Sequence, residues 1–382
     1  MGIIRLLLAI AVVIAHSTSI FGFRMVEGAI AVQAFYIISG FYMALVLNEK
    51  YVGQAHSYRL FITNRLLRLY PIYWVVLALS VLGSVGGYWL TGNPFKLSAY
   101  FDALPYIQPG ALAYLVLTNL VVVGQDAVFF LGLNPQTGGL FFAPDFHATK
   151  PPVYMFMFLP QAWTLGVEIL FYLVAPFLVR RRVSVLVLLA LGSLAIRLGL
   201  HQLGLSNDPW SYRFFPSEIL FFLVGAICYR AYLVLKTRPV DWRVYQAMLG
   251  AALLVLLSYH WLPTDLPKRV LYYLFFALSV PFLFILTKKS RLDYRLGELS
   301  YPVYISHMFT GSVVKLVLDK AHVPEAWFGL VLVVVTVLFS LVLVRFIAEP
   351  VERYRQRRVR RFQQPEPTPE AHLGPTVMVL PA

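Results

Sequence analysis

Arg5 and His16 stand eleven residues apart in an apolar run at the start of the chain. Eleven helical steps make three turns plus about 20°, so both side chains share one helix face, about 16 Å apart along the axis. A guanidinium at one end of such a stripe and an imidazole deep along it suit an anionic ligand whose reactive end points at a buried base. The plainer alternative is a helix anchored by Arg5, with His16 bonded to a neighbouring backbone. Arg65 and Arg68, at i and i+3, project together just before Tyr70-Pro71. Two guanidiniums at a helix start, beside free backbone N–H groups, make a phosphate site. Ordinary charge anchoring at the end of a membrane span is the competing account. Trp163 fits a membrane interface, and Glu168 lies five residues deeper. That carboxylate would either hydrogen-bond an imidazole and raise its basicity or pair with Arg197. Ser300, Tyr304 and His307 share a face at i, i+4 and i+7, with Pro302 expected in the first turn. They would line a polar cavity or only bridge helices.

These groups need elements to carry them, and the composition says where those elements lie. Of the 382 residues, 59% are hydrophobic and 13% charged, and the mean hydropathy is +0.71. A soluble domain carries roughly 25% charged residues. The chain is therefore expected to be all-α, a polytopic transmembrane helix bundle. Apolar stretches fall at 3–22, 29–48, 71–90, 112–131, 160–179, 183–202, 216–235, 245–262, 270–287, 301–318 and 326–347. The first resembles a signal peptide only in outline, because no Ala-x-Ala site follows His16.

The net charge of +14 would ordinarily raise nucleic acid as a partner. The positive-inside bias explains it better. If 112–131 does not cross, 22 of the 32 Lys and Arg fall on the cytoplasmic side, 7 outside and 3 within spans. The expectation is ten full spans plus one non-spanning hydrophobic element, in a cytoplasmic (inner) membrane of bacterial type, with both termini inside. A membrane domain would occupy 1–350, with 91–159 as a large extracytoplasmic loop. A basic and then Pro-rich cytoplasmic tail, 351–382, is expected to be disordered. The lone Cys228 excludes an internal disulfide and a cysteine-based metal site.

Taken together, five segments resemble the acyltransferase 3 family of integral membrane acyltransferases, in that family's order. Arg5 to His16 is similar to its opening Arg-x10-His signature. Phe35-Tyr36-Ile37-Ile38-Ser39-Gly40-Phe41 resembles its Ser-Gly-Phe segment. Arg65 to Trp74 matches its Arg-x-x-Arg block, Trp163 to Tyr172 its Trp-Ser-Leu-x-x-Glu block, and Leu296 to His307 its Ser-Tyr…Tyr…His block. Thr164 replaces the usual serine, Ala31 a common glycine, and Ile169-Leu170 a common acidic-amide pair.

The resemblance implies transfer of an acyl group, usually acetyl, from cytoplasmic acyl-CoA to a hydroxyl, with carbohydrate at the cell surface as the leading acceptor. No permanently bound cofactor and no metal are expected. Arg5, Arg65 and Arg68 would bind the donor. His16 would act as general base or as covalent acyl carrier, with Glu168 and His307 completing the catalytic set. Ser39, Trp163 and Tyr304 would line the cavity or meet the acceptor. The competing class is a transporter or flippase that uses buried His and Glu for substrate or protons.

Overall fold

The computed structural model describes residues 1–51, 57–263 and 266–363. Those residues form a bundle of helices, α1 Gly2–Ala15, α2 Gly28–Glu49, α3 Ser57–Thr91, α4 Ser98–Ala103 and α5 Pro109–Val121, then α6 Trp163–Leu178, α7 Val183–Gln202 and α8 Phe215–Leu235. The chain continues as α9 Trp242–Ser258, α10 Leu266–Thr287, α11 Arg291–Lys320, α12 Phe328–Leu343 and α13 Glu349–Gln363. The only sheet among the described residues is a hairpin in the segment 91–159. It pairs β1 Leu131–Leu133 antiparallel with β2 Leu140–Phe142, Gly132 opposite Phe141.

Eight helical segments are long and apolar enough to cross a membrane: those built on α2, α3, α6, α7, α8, α9, α10 and α12. The protein is a polytopic helical bundle. The stretch expected at 112–131 is the short α5, which ends at Val121. At about 20 Å it falls short of a 30 Å hydrocarbon core.

Two helices that carry site residues are unlike the other eight. α1 has 14 residues, and α11 is long but too polar to pass the same test. α11 is polar because it spends its inner positions on Ser300, Ser306, His307 and Thr310, all buried. The two pack side by side at Gly2 and Gly297, where an added Cβ would collide with the facing backbone. Asp293 accepts the backbone N–H groups of Gly2 (2.6 Å) and Ile3 (3.0 Å), a carboxylate at a helix N-terminus. α2 and α8 approach as closely through Gly40 and Gly225, each seated against the other helix's backbone. Small residues permit this contact between helices in lipid.

Three boundaries differ from the sequence reading. α1 stops at Ala15 instead of running to 22, and His16 caps it. α3 begins at Ser57, so Arg65 and Arg68 lie well inside a helix. Their neighbouring backbone N–H groups are used by the helix and are not free for phosphate. α11 begins at Arg291, which puts Pro302 in the helix interior. Hydropathy windows miss such polar extensions, because a helix continues through any residues that keep its backbone bonded.

A turn of π-helix, Val344–Ala348, joins α12 to α13. The basic stretch expected in a disordered tail is helical as far as Gln363. Arg358 ties α13 to α3, donating to Thr63 Oγ1 (3.0 Å) and Asn64 Oδ1 (3.3 Å). The Pro-rich part expected at 364–382 lies outside the described residues.

A buried polar network crosses the bundle away from the site. Arg197 Nη2 donates to Glu218 Oε1 at 2.5 Å, and Gln33 Nε2 reaches both Glu218 oxygens at 3.0 and 3.1 Å. Arg197 thus pairs with Glu218, not with Glu168. Lys315, an ionisable residue in the stretch 301–318, is exposed.

Candidate active site

A cavity of about 340 Å³ lies between α1, α2, α3, α6, α10 and α11. Its volume is within the usual range for a small-molecule site. Arg5, Arg65 and Arg68 line one end, and Thr164 and Tyr304 the other. Ser39, Glu168 and Tyr172 stand along the wall.

The three arginines differ in their partners. Arg68 Nη2 is 3.0 Å from Glu298 Oε1. Arg65 is 8% exposed and has no hydrogen bond or ion pair among the described residues. Its guanidinium lies 5.7 Å from the Phe61 ring. Arg5 is half-buried and likewise unpaired among them, with Tyr42's ring at 5.9 Å. Burying an uncompensated charge costs several kcal/mol. Two such guanidiniums on one cavity wall fit an anion that supplies the missing charge.

Glu168 hydrogen-bonds neither histidine. Its Oε1 accepts from Ser39 Oγ at 2.8 Å and from Tyr172 OH at 2.5 Å. Tyr172 enters the sequence reading only as the end of the block that opens at Trp163, and its i+4 spacing from Glu168 is the signal for this contact. Glu298 was missed, since its pairing with Arg68 joins α11 to α3 and no local pattern marks it.

The histidines meet beyond the far end of the cavity. Their ring centroids lie 5.0 Å apart with planes at 48°. Tyr304 stands between His307 and the cavity, its ring 5.9 Å from the imidazole. Its hydroxyl is held by Thr164 Oγ1 at 2.9 Å and donates to Gln161 O at 3.0 Å. His307 is 1% exposed, whereas His16 is exposed at the end of α1 rather than deep in the bundle.

His307 Nδ1 lies 2.5 Å from Tyr304 O, and His16 Nδ1 2.9 Å from Val12 O. A carbonyl oxygen only accepts, so Nδ1 is the N–H in both rings and the neutral Nε2 carries the lone pair. His307 Nε2, although buried, has no hydrogen-bond partner among the described residues. This is the arrangement a general base requires.

Trp163 is not on the cavity wall. It is buried against Arg213, whose guanidinium lies 4.4 Å from the Trp163 ring and 3.7 Å from that of Phe129. Arg213 also makes paired bonds to Asp208 at 2.6 and 2.7 Å. The tryptophan therefore braces the start of α6.

A sequence model of the acyltransferase domain matches residues 1–345. The chain belongs to the acyltransferase 3 family. This acyltransferase is 33% identical over 138 residues to "Protein 2 in picA locus" of Rhizobium radiobacter, covering 36% of this chain and 68% of that one. It is 26% identical over 159 residues to the exopolysaccharide production protein ExoZ of Rhizobium meliloti, covering 42% of this chain and 37% of ExoZ. No solved structure matches it. The transporter alternative gives way to membership of an acyltransferase family, and α13 lies beyond the matched region.

The segment between α3 and α6 packs against this acyltransferase's site end. Asp126 Oδ1 has no hydrogen-bond partner among the described residues, and an added Cβ on Gly166 would sit 3.0 Å from it. Burial pushes the Asp126 carboxyl up to about 6 from an ordinary 3.8, against smaller opposing bonds from backbone N–H groups. The folded protein therefore holds this proton more tightly than the unfolded chain. Stability from it is full below about pH 4 and is lost as the pH rises through 6. Asp126→Asn is expected to raise the melting temperature of the purified protein at pH 7.5 and to leave it unchanged at pH 4. A melting curve unchanged at both values would contradict this.

Proposed function

We propose that the protein is a membrane O-acyltransferase that moves an acyl group, acetyl by preference, from cytoplasmic acyl-CoA to a hydroxyl of a cell-surface polysaccharide. One observation carries the reading: two guanidiniums, Arg5 and Arg65, unpaired among the described residues, stand at one end of a cavity whose other end, at Tyr304, abuts a pair of histidines. The polysaccharide-production name of ExoZ supports a glycan acceptor.

In this reading the bundle sits in the inner membrane with the arginine end facing the cytoplasm. The charge bias of the sequence supports that orientation. The phosphates of the donor meet Arg5, Arg65 and Arg68, and the thioester lies toward Tyr304. His307 Nε2 takes the proton of the attacking hydroxyl. The hydroxyl oxygen forms its bond to the thioester carbonyl carbon, the C–S bond breaks, and the thiolate leaves with that proton. His16, at the exposed end of α1, orients the acceptor and its neighbour's ring. Direct transfer accounts for this geometry better than a covalent histidine carrier, because His16 lies on the far side of His307 from the donor cavity.

The test is transfer of label from acetyl-CoA to surface polysaccharide by isolated membranes. Membranes containing the protein are expected to label the glycan, and membranes lacking it are not. Equal labelling by both would reject the assignment.

A further inference from the structure

Glu168 is a carboxylate in a cavity lined by cations, yet no cation stands within ion-pair distance of it among the described residues. Both hydroxyl donors go to Oε1, so Ser39 and Tyr172 fix the group in place. Oε2 receives no hydrogen bond among the described residues, and the side chain lines the cavity. A carboxylate held by one oxygen and open at the other calls for a hydrogen-bond donor on the ligand. It cannot call for phosphate, because two anions in contact repel.

The position of Glu168 along the cavity narrows the choice. Thr164, Glu168 and Tyr172 follow at i, i+4 and i+8 on one stripe of α6, about 6 Å apart. Tyr172 marks the arginine end, its ring 6.4 Å from that of Phe61, which Arg65 covers. Thr164 marks the other end through its bond to Tyr304. Glu168 is thus midway between the anion site and the reactive end. An acyl-CoA laid along this line has its nucleotide phosphates at one end and its thioester at the other. Between them run the amides of the pantetheine arm, whose N–H groups need acceptors once they leave water.

We propose that Glu168 Oε2 accepts an amide N–H of the pantetheine arm, making Glu168 a donor-positioning residue and not a partner of the histidines. The inference rests on the acyl-CoA reading above and adds where the arm is held. It also accounts for the two hydroxyls on Oε1. They hold Oε2 toward the ligand and offset the nearby guanidiniums, which would otherwise draw the carboxylate into an ion pair.

The test compares binding of acetyl-CoA with binding of analogues in which one or the other pantetheine amide is an ester, to the purified full chain in lipid nanodiscs. An ester keeps the carbonyl and removes only the N–H. Wild type is expected to lose between about 10-fold and 100-fold in affinity with one of the two analogues. Glu168→Gln, in which an amide N–H2 faces the arm, is expected to bind acetyl-CoA more weakly and to show no further loss with that analogue. Two outcomes overturn the inference while leaving the acyl-CoA reading intact. One is wild type indifferent to both swaps, a result that needs no variant. The other is a Gln variant as sensitive to the swap as wild type. No binding of acetyl-CoA by wild type would overturn both.

Discussion

Arg65→Ala is expected to raise the Kd for acetyl-CoA by at least about 30-fold, the lower end of what is lost when one partner of a buried charged pair is truncated. The same substitution should leave the melting temperature of the unliganded protein unchanged or higher. Arg65 is buried and makes no ion pair or hydrogen bond among the described residues, Glu168 being a cavity neighbour beyond ion-pair distance, so its removal relieves a cost instead of breaking a bond. Arg68→Ala gives the opposite stability result. It strands Glu298, which is one-fifth exposed and bonded to Arg68 at 3.0 Å, and should lower the melting temperature. A stability gain together with a binding loss marks a residue kept for its ligand. If Arg65→Ala bound acetyl-CoA as wild type does, the arginines would be ordinary positive-inside anchors and the donor site would lie elsewhere.

How far the site was legible from the sequence follows from which interactions are local. Ser300, Tyr304 and the stripe toward His307 were readable because all three sit on one regular helix. Arg65 and Arg68 were found as a pair, but their setting was not. The apolar stretch began at 71, whereas α3 starts at Ser57. Polar residues on a helix that leaves the hydrocarbon look the same to hydropathy as a loop. The opposite error put His16 deep in α1. Residues 16–22 are apolar enough to prolong a window, yet the backbone turns there, with Ile20 bridging Phe23. Glu168 is visible as an intramembrane carboxylate and Tyr172 is its i+4 neighbour on α6, but its partner Ser39 depends on how α2 meets α6. That meeting is a tertiary fact with no sequence period. The same holds for Arg213, whose packing draws Trp163 away from the cavity.

His307→Ala is expected to lower the rate of acyl transfer by about 10²- to 10⁴-fold, the range for losing a positioned general base. Acetyl-CoA binding should stay near that of wild type, because His307 does not line the donor cavity. His307→Gln is the sharper comparison. Its amide can still donate to Tyr304 O and fill much of the same volume, but it offers no basic nitrogen at the Nε2 position. A histidine that only bridges helices would be replaced by glutamine with little loss, whereas a base would not. His16→Ala separates the roles further. His16 is exposed and its ring faces His307 from the far side, so its loss should weaken the response to acceptor concentration more than the donor response. The discriminating measurement is transfer of labelled acetyl groups with donor and acceptor varied independently. If His307→Gln kept wild-type turnover, the proton would have to be taken elsewhere. His16, the imidazole packed against it, would then be the base.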